Sequence, residues 1–338
     1  MNPEELSPRE AWKRYIDRRK PETTKLSARS YYYKLKLFIE WCEDEQIETV
    51  SQLTGWTFET YETKRSGDDL APITLRQEMQ TLKQFIEYLE RIEAVEQGLS
   101  ERVHVPNVDP EDQSSDTKLP TDQATGLLQH YRKTEPASRR HAALEVFWHV
   151  GCRLGALRGL DVRDYYPDEQ YLDFRHRPET DTPLKNKLDG ERPVALSDPV
   201  VEVLDRYLDS SDYWEKHDEH GRTPLFASRQ GRPGHNTVRT WMYQATLPCQ
   251  YTTCPHDRDP EDCEWTKRNH SSKCPTSRSP HQIRTGSITW QLDQGIPPQV
   301  VSERANVSVE TLKKHYDKAS ARERMERRRR QFIEDLDL

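Results

Sequence analysis

The stretch PHQIRTGSITWQL, residues 280–292, with VSERANVSVETLKKHYD, residues 301–317, decides how this chain reads. In the first, His281 and Arg284 are three residues apart, so a helix places both on one face. In the second, Tyr316 closes a run of basic residues, Lys313, Lys314 and His315, with Lys318 just beyond. Helices are predicted over about 281–293 and 308–332. The residue types suggest phosphate chemistry. A planar guanidinium fork matches phosphate oxygens in bidentate fashion, and a Tyr hydroxyl can act as a covalent nucleophile.

Upstream, HAALEVFWHVGCRLGALRGL (141–160) reads as a helix running into a buried turn, with Arg153 inside an otherwise apolar run. YLDFR (171–175) and RPVALS (192–197) have strand character. The turn-rich stretch between them holds Lys185, Asn186, Lys187, Asp189 and Gly190, which predicts a hairpin. Asp198 before Pro199 starts a helix with Val201, Leu204 and Leu208 on one face, and another helix covers Thr237–Gln244. The first hundred residues are helical in pattern: Tyr31, Leu35, Phe38, Ile39 and Cys42 follow the 3.6-residue period, as do Leu75, Met79, Leu82, Ile86 and Leu89. Residues 103–122 lack periodicity and are rich in Pro, Asp and Ser, as a linker is.

The composition bounds the alternatives. The 338 residues suit two domains. No apolar run reaches the roughly 18–20 residues of a membrane helix, and the first residues lack the apolar core of a signal peptide. Six Cys are too few for a disulfide scaffold of this length. Asp and Glu total 58 against 51 Lys and Arg, a net charge of −7, which by itself points away from nucleic acid.

The ordered set Arg153, a hairpin Lys, His281-x-x-Arg284 and Tyr316 resembles the tyrosine recombinases, or phage integrase family. Residues 249–317 look closest to integrases of halophilic archaea. The resemblance implies a mostly α fold with a small β-hairpin or sheet. A SAM-like helical core-binding domain (1–102) and a linker (103–118) would precede a mixed α/β catalytic domain (119–338) carrying a Cys/His insert at 249–274. It implies that Arg153, His281 and Arg284 surround a scissile phosphate and that Tyr316 forms a 3′-phosphotyrosyl link. A hairpin lysine would protonate the leaving 5′-oxygen. Neither a nucleotide cofactor nor a catalytic metal is then required. The expected partners are double-stranded DNA and further copies of the chain, as a tetramer on two duplexes, in the cytoplasm and with no membrane.

Three positions depart from the family. Ala156 stands where a carboxylate usually supports the first Arg. Asn306 falls nearest the place of a second His, off by about one residue. Of the hairpin lysines, the TPLKN context favours Lys185, whereas counting back from the strand favours Lys187; Lys185 is preferred. Ala156 and the missing His keep open a second reading, a regulator that binds sites without cutting. A zinc hydrolase lacks support, since no H-E-x-x-H arrangement occurs.

Four of the six Cys fall in PCQYTTCPHDRDPEDCEWTKRNHSSKC (248–274), which has almost no aliphatic side chains. A structural zinc would explain how such an insert stays ordered. The expected ligands are Cys254, His256, Cys263 and Cys274, with Cys249 and His270 as alternates. Cys42 and Cys152 read as core thiols. For DNA, the N-terminal stretch offers Lys13, Arg14, Arg18, Arg19, Lys20, Lys25, Arg29, Lys34 and Lys36 around Tyr31, Tyr32 and Tyr33. The acidic excess fits a high-salt interior, where screening weakens surface pairs.

Overall fold

The structure is a computed structural model. It describes residues 2–109, 117–210, 213, 215–317 and 319–330, without the side chains of Lys25 and Leu26. Residues 110–116 of the expected linker, and Lys318, therefore lie outside the described residues. The chain divides into two compact units, Met1–Ser115 and Asp116–Leu338.

The first unit is built on α1 (Pro8–Arg19), α2 (Lys25–Asp44), α3 (Gly55–Ser66) and α4 (Pro72–Arg91). Its helix starts are written locally: Ser7 and Glu10 form a capping box, and Thr54 caps α3. The 3.6-residue stripes meet as a core of Trp12, Leu35, Phe38, Phe58, Tyr61 and Phe85. Among the tyrosines of α2, Tyr31 is half-buried and accepts from Arg19, whereas Tyr33 is exposed beneath Arg29. Several cations of the basic stretch are engaged with acids, Lys20 with Asp17 and Lys36 with Glu40 among them.

The second unit opens with α5 (Thr121–Thr134), α6 (Arg139–Val150) and α7 (Leu154–Gly159). An antiparallel sheet follows, β1 (Tyr165–Tyr166), β2 (Tyr171–Phe174) and β3 (Arg192–Ala195), in the order β1-β2-β3. Leu172 pairs with Val194, which fixes the hairpin register and turns both into the core. Then come α8 (Asp198–Leu208), α9 (His235–Ala245), α10 (Pro280–Asp293) and α11 (Pro298–Ala305). Buried α6 forms the centre of the main core with Leu127, Leu157, Leu204, Val238 and Ile283.

The predicted single helix over 308–332 is not continuous. A short α12 (Val309–Thr311) runs into a π-helical turn at Leu312–Tyr316, and α13 (Ala321–Arg324) starts afresh on a Ser320–Glu323 capping box. Residues 331 and 332 lie outside the described residues. Arg328 bridges Asp317 and Asp293, which holds the returning segment against the end of α10.

An ion network fixes the loops around the hairpin. Asp161, 1% exposed, faces Arg177, Arg222 and Arg232, while Arg177 also binds Asp164 and Arg232 binds Asp218. Buried charges of this kind are tolerated only when paired. The network ties the chain after α7 to the hairpin base and to the loop that launches α9.

Candidate active site

Helix α10 begins where the site needs it. Ser279 caps it, Gln282 completes the capping box and Pro280 occupies the first turn. His281 and Arg284 therefore stand in the opening turns, the first exposed and the second 1% exposed. Arg153 precedes α7, just beyond Gly151, whose φ of +67° ends α6 in the left-handed conformation that glycine favours. Tyr316 ends the π turn and packs in a small core with Ile288, Val301 and Leu312. Thr289 of α10 donates to the Tyr316 carbonyl at 2.9 Å, which pins the turn to the helix.

The four predicted groups come together. The Arg284 guanidinium carbon lies 4.8 Å from the centre of the Tyr316 ring, and the His281 and Tyr316 rings meet edge to face at 5.5 Å. Arg153, His281 and Arg284 line a cavity of about 400 Å³, which Arg239 and Tyr243 of α9 also border. Arg284 spends only Nη1, donating to Gly151 O and Ala305 O at 2.7 Å each. Its Nε and Nη2 are buried and have no hydrogen-bond partner among the described residues. Unmade bonds of a buried cation are costly, and two adjacent guanidinium donors suit the two oxygens of a phosphate.

The carboxylate missing at Ala156 is replaced by backbone. Three successive carbonyls at the end of α11 each accept from a different arginine. Arg192 Nε donates to Arg304 O at 2.9 Å, Arg284 Nη1 to Ala305 O at 2.7 Å and Arg153 Nη1 to Asn306 O at 2.5 Å. A helix C-terminus carries about half a negative charge, so the turn serves as shared counter-charge. Among the described residues no carboxylate pairs with Arg153, Arg192, Arg284 or Arg304. Burial accordingly lowers the Arg153 pKa, with Arg284 acting in the same direction. Burial pushes Arg192 down to about 10, with Arg284, Arg153 and Arg304 adding to it. Sequence reasoning treated Arg192 as an ordinary strand residue; an arginine opening a strand whose next core position is Val194 was the available signal.

Asn306 is the left-handed cap of α11, with φ 52°. It contributes its carbonyl to Arg153 and its side-chain Oδ1 to Asn186. Lys185 and Lys187 are both exposed in the hairpin loop. Lys185 lies within electrostatic reach of His281, and Lys187 sits at φ 52° with its N–H bonded to Leu184 O.

Burial lowers the His281 pKa, and Arg284, Arg153, His315 and Lys185 push it the same way, which leaves the ring neutral near pH 7. Burial also lowers His149 to about 4 from 6.5, with Arg304 next in effect. Between those values the unfolded chain binds a proton that the folded ring refuses, so stability falls as pH falls through the window. The His149 shift alone corresponds to a loss of roughly 3 kcal/mol. Urea unfolding at pH 7 and pH 4.5 is expected to show this loss, reduced in His149→Gln. A variant with an unchanged pH dependence would contradict it.

Among the described residues no three His, Cys, Asp or Glu side chains converge to hold a metal ion. The thiols do share a neighbourhood: burial raises the Cys249 pKa, and Cys254, Cys274 and Cys263 add to it. Of the two histidines, His256 is engaged elsewhere, whereas Nδ1 of the alternate His270 is buried without a hydrogen-bond partner among the described residues. His256 Nε2 is 2.5 Å from the Thr276 hydroxyl, and His270 lies 3.6 Å from Glu264. The ring of His256 meets Trp265, which also lies under Arg258. Ser277 donates to the carbonyls of Ser271 and Cys274. As placed, Cys254, His256, Cys263 and Cys274, with the alternates Cys249 and His270, do not converge as a group of three. Cys42 and Cys152 are buried core thiols, as expected.

No protein-family model matches the chain, and no curated protein does. Solved structures do. The Tn1549 transposon integrase in complex with a circular intermediate DNA aligns over 98% of this chain and 100% of its own, with TM-score 0.67 and 14% identity. A lambda integrase dimer bound to a COC′ core site aligns over 92% and 77%, with TM-score 0.64 and 13% identity. The N-terminal domain of a phage integrase/site-specific recombinase from Haloarcula marismortui is 50% identical over 30% of this chain and 97% of that one, with TM-score 0.30. The chain has the fold of these integrases, that of the tyrosine recombinases or phage integrases, and Arg153, His281 and Arg284 line one cavity with the Tyr316 ring beside His281 and Arg284.

Proposed function

We propose that the protein is a site-specific DNA recombinase that breaks and rejoins strands through a covalent link to Tyr316. The observation that carries this is the buried Arg284, whose two unpartnered donors sit beside the Tyr316 ring at the mouth shared with Arg153 and His281. A phosphodiester in that cavity would satisfy both donors. The arginines would then stabilise the charge that builds on the nonbridging oxygens. The Tyr316 hydroxyl attacks phosphorus and gives up its proton, for which the neutral His281 is a fitting acceptor. The bond to the 5′-oxygen breaks, and Lys185 supplies the proton that this oxygen takes. The reverse step, with the 5′-hydroxyl of a second strand as nucleophile, releases Tyr316. Phosphodiester energy is conserved throughout, so the cycle needs neither ATP nor a metal ion.

Double-stranded DNA is the partner this reading requires, and related folds are known on it. A lambda integrase tetramer has been solved bound to a Holliday junction. We extend that assembly to this chain as a tetramer on two duplexes. Among the described residues no helix is long and apolar enough to cross a membrane. The carbonyl turn that stands in for the carboxylate at Ala156 supports cutting over binding alone.

The test begins with a randomised duplex pool, from which bound sequences are recovered. A plasmid carrying two copies of the recovered site should then be deleted or inverted by the purified protein in EDTA without ATP. Stable binding with no exchange and no cleavage would favour the regulator. For the leaving-group role, Lys185→Ala is expected to slow cleavage of a nicked duplex about 100-fold, and Lys187→Ala to leave it nearly unchanged. The opposite pattern would assign the proton to Lys187.

A further inference from the structure

The hairpin loop that carries Lys185 is exposed, yet its two ends are fixed. At one end Leu184 is buried and its N–H donates to His176 Nδ1 at 3.0 Å. At the other, buried Gly190 has its carbonyl held by Arg192 Nη1 at 2.9 Å. Arg192 also donates to Arg304 O, in the turn whose next two carbonyls hold Arg284 and Arg153. Between these ends, over residues 185–189, only Asn186 has a side-chain hydrogen bond among the described residues. Its Nδ2 donates to Asn306 Oδ1 at 2.8 Å. The fit around that bond is close. A Cβ at position 190 would fall 2.7 Å from Asn306 Nδ2, so glycine there lets the Asn306 amide enter the loop.

Asn306 is thus a junction. Its backbone carbonyl anchors an arginine of the phosphate cradle, and its side chain anchors the residue next to Lys185. We propose that Asn186 is a positioning residue, whose bond to Asn306 registers the Lys185 ammonium against the phosphate held by Arg153 and Arg284. This rests on the recombinase reading and on Lys185 as the acid. A lysine on a free loop would be a mobile point charge; one additional anchor restricts the loop to the arrangement in which a proton can reach the 5′-oxygen. Proton transfer requires hydrogen-bond reach, so a small displacement is costly.

The test separates positioning of the acid from a general defect. Nicked duplexes of a recovered binding sequence are prepared with either oxygen or sulfur bridging phosphorus and the 5′-carbon at the scissile position. A thiolate leaves without a proton, so the sulfur substrate bypasses the acid. Single-turnover cleavage by Asn186→Ala is expected to fall roughly 10- to 100-fold on the oxygen substrate and to return to near wild type on sulfur. Asn306→Gly, which keeps the left-handed turn and removes the amide, should behave alike. Lys185→Ala should show the same rescue, and Tyr316→Phe should fail on both. Asn186→Ala cleaving the oxygen substrate at the wild-type rate, or losing equally on both, overturns the proposal alone. Lys185→Ala that sulfur does not rescue overturns the acid assignment and the proposal with it. Cleavage by Tyr316→Phe overturns the recombinase reading itself.

Discussion

Replacing Arg284 with methionine is expected to abolish strand cleavage while leaving the fold nearly as stable as before. Each donor removed from a developing oxyanion typically costs 10²- to 10³-fold. Arg284 has two such donors, Nε and Nη2, so the loss should be on the order of 10⁴-fold. The stability side follows from the absence of an acid partner. The buried guanidinium is compensated only by Gly151 O and Ala305 O. Burying a cation costs several kcal/mol even after relaxation, and an unsatisfied carbonyl costs about 1–3 kcal/mol. Methionine removes the first penalty and incurs the second, so the two largely offset. Urea unfolding should shift by no more than about 1 kcal/mol. Arg284→Lys keeps the charge but not the fork and should fall between. A methionine variant that cleaves within tenfold of wild type would remove Arg284 from the chemistry. One that unfolds several kcal/mol more easily would show that the arginine is a structural support.

The larger effect belongs to Tyr316→Phe. The ring keeps its place over Arg284, against His281 and in the core with Leu312, and the backbone carbonyl still accepts from Thr289. Only the hydroxyl goes. Loss of a covalent nucleophile costs on the order of 10⁶-fold, so cleavage should disappear while duplex affinity and thermal stability stay close to wild type. Retained cleavage by the phenylalanine variant, measured on the same nicked duplex, would mean that another group attacks phosphorus.

The site was legible where its information is local. His281 and Arg284 share a helix face whatever the tertiary fold, and the cap at Ser279 announces where that helix starts. Arg153 stood out as a charge in an apolar run, and the order of the set supplied the rest. What could not be read is carried by backbone. The carbonyls of Arg304, Ala305 and Asn306 organise three arginines, and a carbonyl has no residue type. Arg192 and Asn186 gain their meaning from that turn, 112 and 120 residues away in sequence. The π turn at Leu312–Tyr316 broke the expected long helix because Asp317 is drawn to Arg328 and Ser320 caps a new start, both tertiary effects. Helix α11 was missed because its eight residues fall below the length at which periodicity is readable. In the insert, four Cys within 26 residues suggest a metal, and the contacts of His256 with Thr276 and the Trp265 ring are tertiary and carry no local signal.

A covalent bond between Tyr316 and DNA is the central requirement of the proposed reaction. The wild-type protein is incubated with a nicked duplex of its recovered site, so that the short strand released by cleavage diffuses away and the intermediate is trapped. The product is denatured, digested with trypsin and the DNA-linked peptide sequenced by mass spectrometry. A single adduct is expected, the 3′-phosphate of the cleaved strand on Tyr316, formed in EDTA. An adduct on another residue, or a cut strand bearing no peptide, would contradict it.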